Sequence, residues 1–209
     1  MAKYDAVIEL AKAKRIEHSV STSALNLPVI RRIYKSEGVK IDKWSFGSKI
    51  RAVYMFADGD ASVAIKSGMP REPTLFSLAH ELKHHFLDRE LIQDGRLKCG
   101  DYNANEAIEI AAEVFAAEFI YPEDEFVACV DALGIQSGSC TPEDVVRLKR
   151  TCNAVVSYQF LSKRLLRLGY AKSGAFEKIK FQNLEEQMFG VPFYKSPYFK
   201  ARRKAKLRG

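Results

Sequence analysis

The pattern of hydrophobic and polar positions along this chain predicts a protein that is mainly helical. Hydrophobic residues recur every three or four positions, which is the spacing of one helix face. A segment rich in alanine and glutamate, residues 105–119, is the strongest of these predicted helices. The others cover residues 3–17, 28–37, 74–87, 141–152 and 157–169. The last two together have the proportions of a helix-turn-helix.

Two short segments alternate between hydrophobic and polar side chains and predict a β-hairpin. They are residues 50–56 and 61–65, and they flank Asp58-Gly59-Asp60, which is typical of a tight hairpin turn. Residues 39–41 begin a further extended segment. A small sheet among these helices predicts an α+β fold. We expect one domain over residues 1–135, a helical section over 136–190 and a tail over 191–209.

Positive charge is concentrated at the carboxyl end of the chain. The whole chain has 33 basic and 26 acidic residues, and seven of the basic residues, but no acidic one, lie between Val191 and Gly209. The rest of the chain is therefore balanced, and the net charge of +7 belongs to this tail. A basic tail can attract nucleic acid or an acidic partner, and it can equally serve only for solubility. Both interpretations stay open.

The composition, with 47% hydrophobic and 28% charged residues, is that of an ordinary globular protein. No hydrophobic run reaches the roughly eighteen residues of a membrane-spanning helix, so we expect no contact with a membrane. The first residues lack the basic and hydrophobic regions of a signal peptide. The four cysteines are widely spaced, which favours reduced thiols. We therefore expect a cytoplasmic protein.

The most informative motif is His80-Glu81-Leu82-Lys83-His84, which lies in the helix predicted after Pro73, with Thr74 as its expected N-cap. Two histidines four positions apart lie on one helix face with Cβ atoms about 5–6 Å apart. Both rings can therefore bind one zinc ion. Glu81 lies close to the same face and can take a proton from a water molecule that the metal activates. The motif predicts a zinc-dependent hydrolase.

A catalytic zinc ion takes a third protein ligand, and the best candidates are glutamates of residues 105–119. Glu109 and Glu113 are four positions apart and share a helix face, and Glu106 lies close to that face. The flanking residues are hydrophobic, so part of this acidic face must be buried, and a buried carboxylate needs a cation. Glu109 is the preferred ligand, and Glu113 would then orient a ligand histidine. Glu106, Glu113 and Cys99 are alternative ligands.

Two segments of the chain resemble the ImmA/IrrE family of zinc metallopeptidases. Residues 76–85 resemble that family's Thr-Leu-Ala-His-Glu-Leu-Gly-His run. Residues 109–122 resemble its following helix, Glu-x-x-Ala-Asn-x-Phe-Ala-Ala-x-Leu-Leu-Met-Pro. The first glutamate of that helix is the family's metal ligand, and it falls on Glu109. Lys83 stands where the family usually has glycine, and Glu113 stands where it often has asparagine.

The resemblance, which covers about residues 20–170, implies a zincin-like metallopeptidase domain. It implies one zinc ion held by His80, His84 and Glu109, with Glu81 as general base. The implied substrate is a DNA-binding repressor of the helix-turn-helix type or an antitoxin-like regulator, whose cleavage would derepress genes of a mobile element or a stress response. The alternative is an anti-repressor or toxin–antitoxin component that acts by protein binding alone.

Overall fold

A computed structural model describes residues 4–45, 50–96, 106–192 and 195 of the chain. The helices are α1 (Asp5–Glu17), α2 (Leu27–Ser36), α3 (Arg71–Lys83), α4 (Arg89–Gln93), α5 (Glu106–Ile120), α6 (Glu123–Ala132), α7 (Pro142–Thr151), α8 (Tyr158–Arg167) and α9 (Phe181–Phe189). The strands are β1 (Lys40–Trp44), β2 (Ala52–Ala57) and β3 (Asp60–Lys66). This arrangement confirms the predicted α+β fold. Almost all of the predicted basic tail lies outside the described residues.

The three strands form one sheet with the order β1-β3-β2. β2 and β3 are antiparallel, as the hairpin prediction requires. Asp58 and Gly59 connect them with φ angles of 53° and 83°, and both angles are positive, as in the tightest hairpin turns. β1 pairs in parallel with β3. Within the described residues, β2 is therefore an edge strand, with β3 on one side only.

Helix α3 is the buried centre of the part of the chain that carries the motif. It packs against α2, α5 and the strands β2 and β3. Leu75, Leu78 and Leu82 are at most 1% exposed, and they form the hydrophobic stripe that the sequence predicts. The motif residues therefore lie on a helix that the surrounding core holds in place.

The beginning of α3 differs from the prediction, because the helix starts at Arg71 and Thr74 is not its N-cap. Pro73 lies within the first turn, where a backbone N–H has no helical partner and proline is tolerated. The Thr74 hydroxyl donates instead to the Pro70 carbonyl at 2.8 Å. A proline just before a hydrophobic pattern can therefore lie inside the helix that it introduces.

The described residues divide into two compact units. The first comprises the residues up to Ala128 together with Cys152–Ser157, and it contains the sheet and α1 to α5. The second comprises residues 129–151 and those from 158 onward, and in it α7 packs against α8 and α9. The domain boundaries at 135 and 190 and the helix-turn-helix stay predictions. None of the described helices has the length and hydrophobicity needed to cross a membrane.

Arg15 is a buried cation that joins α1 to the end of α5. Its Nη1 donates to the Phe119 carbonyl at 2.6 Å, and its Nη2 donates to the Thr22 hydroxyl at 2.9 Å. We expect Arg15→Met to lower the free energy of unfolding by about 2–3 kcal/mol, because it leaves buried acceptors without donors. Urea denaturation measures this loss. Lys12→Met, on the exposed side of the same helix, should change stability little.

Candidate metal centre

Three side chains that can ligate a metal converge where α3 packs against α5. His80 Nε2 lies 3.3 Å from His84 Nε2 and 3.0 Å from Glu109 Oε2. One ligand atom from each of the three residues lies within 4.8 Å of the other two. The structure thus brings together the two motif histidines and the glutamate that the sequence analysis preferred.

The local sequence explains why Glu109 can reach the histidines. It lies in the first turn of α5 and is only 5% exposed. Ala112 and Ala116 of the same helix are fully buried, and side chains this small allow α5 to pack closely against its neighbours α1 and α3. The alanine-rich sequence of α5 therefore allows its glutamate to approach the centre of the fold.

These distances fit a tetrahedral metal ion. Two nitrogen ligands at about 2.0–2.1 Å from one zinc ion are about 3.3 Å apart at the tetrahedral angle, and the two ring nitrogens show this separation. Glu109 Oε1 is buried, 3.8 Å from His84 Nε2, and has no hydrogen-bond partner within the described part of the chain. Buried carboxylate oxygens are normally partnered. Two imidazoles and one carboxylate, with this oxygen to spare, form a donor set suited to zinc.

The charges of His80 and Glu109 are coupled. Burial opposes a charge on His80, but the hydrogen bond to Glu109 and the charge of Glu81 raise the pKa of His80 above its ordinary value. Burial likewise opposes a charge on Glu109, but the His80 hydrogen bond and the charge of His84 lower the pKa of Glu109. A metal ion that binds at this pair competes with protons for His80 Nε2, so its affinity depends on pH.

Glu81 lies between the candidate ligands and the edge of the sheet. Its Oε2 accepts a hydrogen bond from the Tyr54 backbone N–H at 2.9 Å. Burial raises the pKa of Glu81, and the neighbouring charges of His80 and His84 offset only part of this effect. The Tyr54 hydroxyl lies 3.0 Å from His85 Nδ1, a contact that ties β2 to the end of the motif. A buried carboxylate with a raised pKa is suited to accepting a proton near neutral pH.

Asp88 contacts a motif histidine and was missed by the sequence analysis. Its Oδ2 lies 2.7 Å from His84 Nδ1. The helix continues past α3 as a π-helical segment, His84–Asp88, a form that is frequent at functional sites. Burial opposes ionisation, but hydrogen bonds from His84 and Lys83 lower the pKa of Asp88. A carboxylate at Nδ1 fixes the ring so that Nε2 faces the other candidate ligands. The spacing of four residues from His84 is the signal that would have identified Asp88.

The remaining glutamates of α5 differ in their positions. Glu113 lines the same cavity as the three clustered residues, and its role in orienting a histidine stays a prediction. Glu106 lies exposed at the first position of α5, and the structure does not bring it into the cluster. Cys99 lies outside the described residues.

The cluster opens into a cavity of about 360 Å³. One wall is the segment that leads into β2, Ile50, Arg51 and Ala52, and another wall includes Phe76 and Ser77 of α3. The His80 side chain is 16% exposed, whereas that of His84 is 1% exposed. The candidate centre is therefore open on the His80 side to a molecule that lies along β2.

Among the described residues, a second group of possible ligands, Glu17, His18 and Glu37, lies apart from this centre. It already has a cation, because Lys14 Nζ lies 2.9 Å from Glu17 Oε2 and 3.9 Å from Glu37 Oε1. His18 Nε2 is itself 2.9 Å from Glu37 Oε1. The lysine explains this cluster without a metal.

The site and the family of the chain agree in the class of protein that they indicate. A small sheet whose edge strand contacts a buried carboxylate lies beside two helices that present two histidines and a glutamate, a donor set that catalytic zinc sites use. The chain belongs to the metallopeptidase family described as the IrrE N-terminal-like domain, whose family model matches residues 35–165. This match covers more than half of the chain and confirms the family that the sequence resembles. No curated protein sequence matches the chain at a significant level.

Proposed function

We propose that this protein is a zinc-dependent endopeptidase that hydrolyses a peptide bond in a specific protein partner. The observation that carries the proposal is the convergence of His80, His84 and Glu109 at distances that suit one tetrahedral ion. The Glu109 oxygen that lacks a hydrogen-bond partner within the described residues, and the cavity that opens beside Glu81, support it further. Membership of a metallopeptidase family supports the same class of reaction.

In this proposal, His80, His84 and Glu109 hold one zinc ion. Zinc in that position supplies Lewis-acid activation of a water molecule and of the scissile carbonyl group. Glu81 accepts a proton from the attacking water and then donates it to the leaving amine. The Tyr54 N–H holds the Glu81 carboxylate in place for both transfers.

The edge of β2 supports an extended peptide as the substrate. Because the Tyr54 N–H points to Glu81, the backbone groups of Tyr54 and of Ala52, two positions earlier, face away from β3. Ala52 also lines the cavity. A peptide that pairs with this edge by strand addition would pass beside Glu81 with its own carbonyl groups exposed to the site.

The proposed partner is a helix-turn-helix repressor or an antitoxin-like regulator in the cytoplasm, as the family resemblance suggests. The basic tail, residues 191–209, is a further proposed contact for nucleic acid or an acidic partner.

Incubation with a repressor encoded next to this protein tests the proposal. We expect defined fragments by mass spectrometry, their loss on addition of a chelator, and their return when zinc is added in excess of the chelator. A stable complex that forms without any cleavage, with or without zinc, would instead favour the binding-only anti-repressor or antitoxin-type function.

A further inference from the structure

Lys83 is buried, and lysine is almost never buried unless it is paired with an opposite charge. Its side chain is 4% exposed. Its Nζ donates to Asp88 Oδ2 at 2.6 Å and to the Ile108 carbonyl at 3.3 Å. Lys83 also directly precedes His84 in the chain. Its ammonium group is therefore fixed next to the candidate metal centre.

Both acceptors of Lys83 are linked to candidate metal ligands. The Asp88 oxygen that accepts from Lys83 is the same oxygen that lies 2.7 Å from His84 Nδ1. Ile108 directly precedes Glu109 in the first turn of α5. One ammonium group thus contacts the carboxylate that orients His84 and the backbone that carries Glu109.

We propose that Lys83 is a positioning residue of the metal centre. It holds the Asp88 carboxylate and the start of α5 in the arrangement in which His84 and Glu109 face each other. The proposal rests on the proposed function, because it concerns the same metal centre.

The physical reason is the cost of a buried charge. Asp88 is 5% exposed, and a carboxylate in such a place needs a compensating charge as well as hydrogen bonds. The Lys83 ammonium supplies that charge, so His84 has only to donate one hydrogen bond through Nδ1. Without Lys83, the carboxylate would be buried without its cation, and its position beside His84 would no longer be fixed.

The contact with Ile108 gives Lys83 a second effect. The Ile108 carbonyl belongs to α5, whereas Lys83 is the last residue of α3. The hydrogen bond therefore crosses between the two helices that carry the three candidate ligands. A change at Lys83 should alter the distance between His84 and Glu109 as well as the orientation of His84.

The test compares Lys83→Met, Asp88→Asn and the double variant with the wild type. Methionine keeps much of the length of lysine but removes the charge and the donors. We expect Lys83→Met to weaken zinc binding about 10–100-fold, the usual effect of losing a group that orients a metal ligand. In the Asp88→Asn background the same change should weaken binding less than it does in the wild type, because a neutral amide needs no compensating cation and only the Ile108 contact is then lost.

Three measurements separate positioning from a purely structural role. They are the zinc dissociation constant from competition with a chromophoric chelator, the visible spectrum of the cobalt-loaded protein, and the melting temperature of the metal-free protein. Lys83→Met should change the cobalt spectrum, since the ligands move. Lys35→Met, at an exposed position on α2, is the matched control and should behave as the wild type does. The double variant is neutral at both positions and provides a folded comparison if Lys83→Met alone is unstable.

Several results would overturn the proposal. Unchanged zinc affinity and an unchanged cobalt spectrum, with only a lower melting temperature, would give Lys83 a role in folding alone. Tighter zinc binding by Lys83→Met would mean that the ammonium acts only as a repelling charge. If the loss of zinc affinity in the double variant equalled the product of the losses in the two single variants, Lys83 and Asp88 would act independently of each other. These three results would leave the proposed function standing. Failure of the wild type to bind zinc would overturn the proposed function as well, and the two failures are therefore distinguishable.

Discussion

Glu81→Gln should bind zinc as the wild type does and should lose about 10²- to 10⁴-fold in peptidase activity, the usual contribution of a general base. Glutamine has the shape of glutamate and can still accept the hydrogen bond of the Tyr54 N–H, so the fold is retained. It cannot take a proton from water at neutral pH. Metal content by mass spectrometry and the rate of partner cleavage measure the two halves of this prediction.

Glu90→Gln, an exposed glutamate on the neighbouring helix α4, is the matched control for Glu81→Gln and should keep full activity. Cleavage at the wild-type rate by Glu81→Gln would contradict the proposed mechanism. Loss of zinc together with activity would also contradict it, because Glu81 would then hold the metal rather than move a proton.

The same substitution has an expected effect on the stability of the metal-free protein. Burial raises the pKa of Glu81 above its ordinary value of 4.5, so the folded state holds this proton more tightly than the unfolded state does. The wild type therefore loses stability as the pH rises from 4.5 through that raised pKa. The Glu81→Gln variant avoids this loss, so it should gain stability relative to the wild type at neutral pH and not at acidic pH. Thermal unfolding at several pH values measures the difference.

The sequence could predict the parts of the site that depend on local spacing. Two histidines four residues apart must share a helix face, and Glu81 must lie near it, whatever the rest of the fold does. Glu109 was the preferred third ligand because its hydrophobic neighbours require burial, and the structure places its carboxylate beside His80 at 3.0 Å. The hairpin turn was likewise encoded locally by Asp58 and Gly59.

Asp88 could have been identified from its spacing of four residues from His84, although hydrophobic periodicity does not reveal the π-helical segment that contains both. The other missed features depend on contacts between segments that are distant in the chain. Lys83 would be read from sequence as a solvated charge, and only the packing of α3 against α5 shows that it is buried. The parallel pairing of β1 with β3 also depends on the path of the chain between them.

Glu109→Ala should lose zinc more severely than any other substitution of a glutamate on α5. We expect its zinc affinity to fall by more than about 100-fold, because a site with two histidines and no carboxylate lacks one of the three protein ligands of a catalytic zinc. Glu113→Ala should weaken zinc binding by at most about tenfold, since its proposed role is to orient a ligand. Glu106→Ala, at the exposed start of α5, should bind zinc as the wild type does.

Zinc-dependent stabilisation gives a second measurement for the same three variants. A ligand present at 100 times its dissociation constant raises the free energy of unfolding by about 2.7 kcal/mol. The melting temperature of the wild type and of Glu106→Ala should therefore rise with added zinc, whereas that of Glu109→Ala should not. Without zinc, Glu109→Ala loses the buried hydrogen bond to His80 and also removes a buried oxygen that has no hydrogen-bond partner within the described residues, so the measurement compares the rise in melting temperature that zinc causes in each variant. If Glu113→Ala lost zinc while Glu109→Ala retained it, the third ligand would lie one turn further along α5, and the 3.0 Å contact of Glu109 with His80 would be an ordinary ion pair.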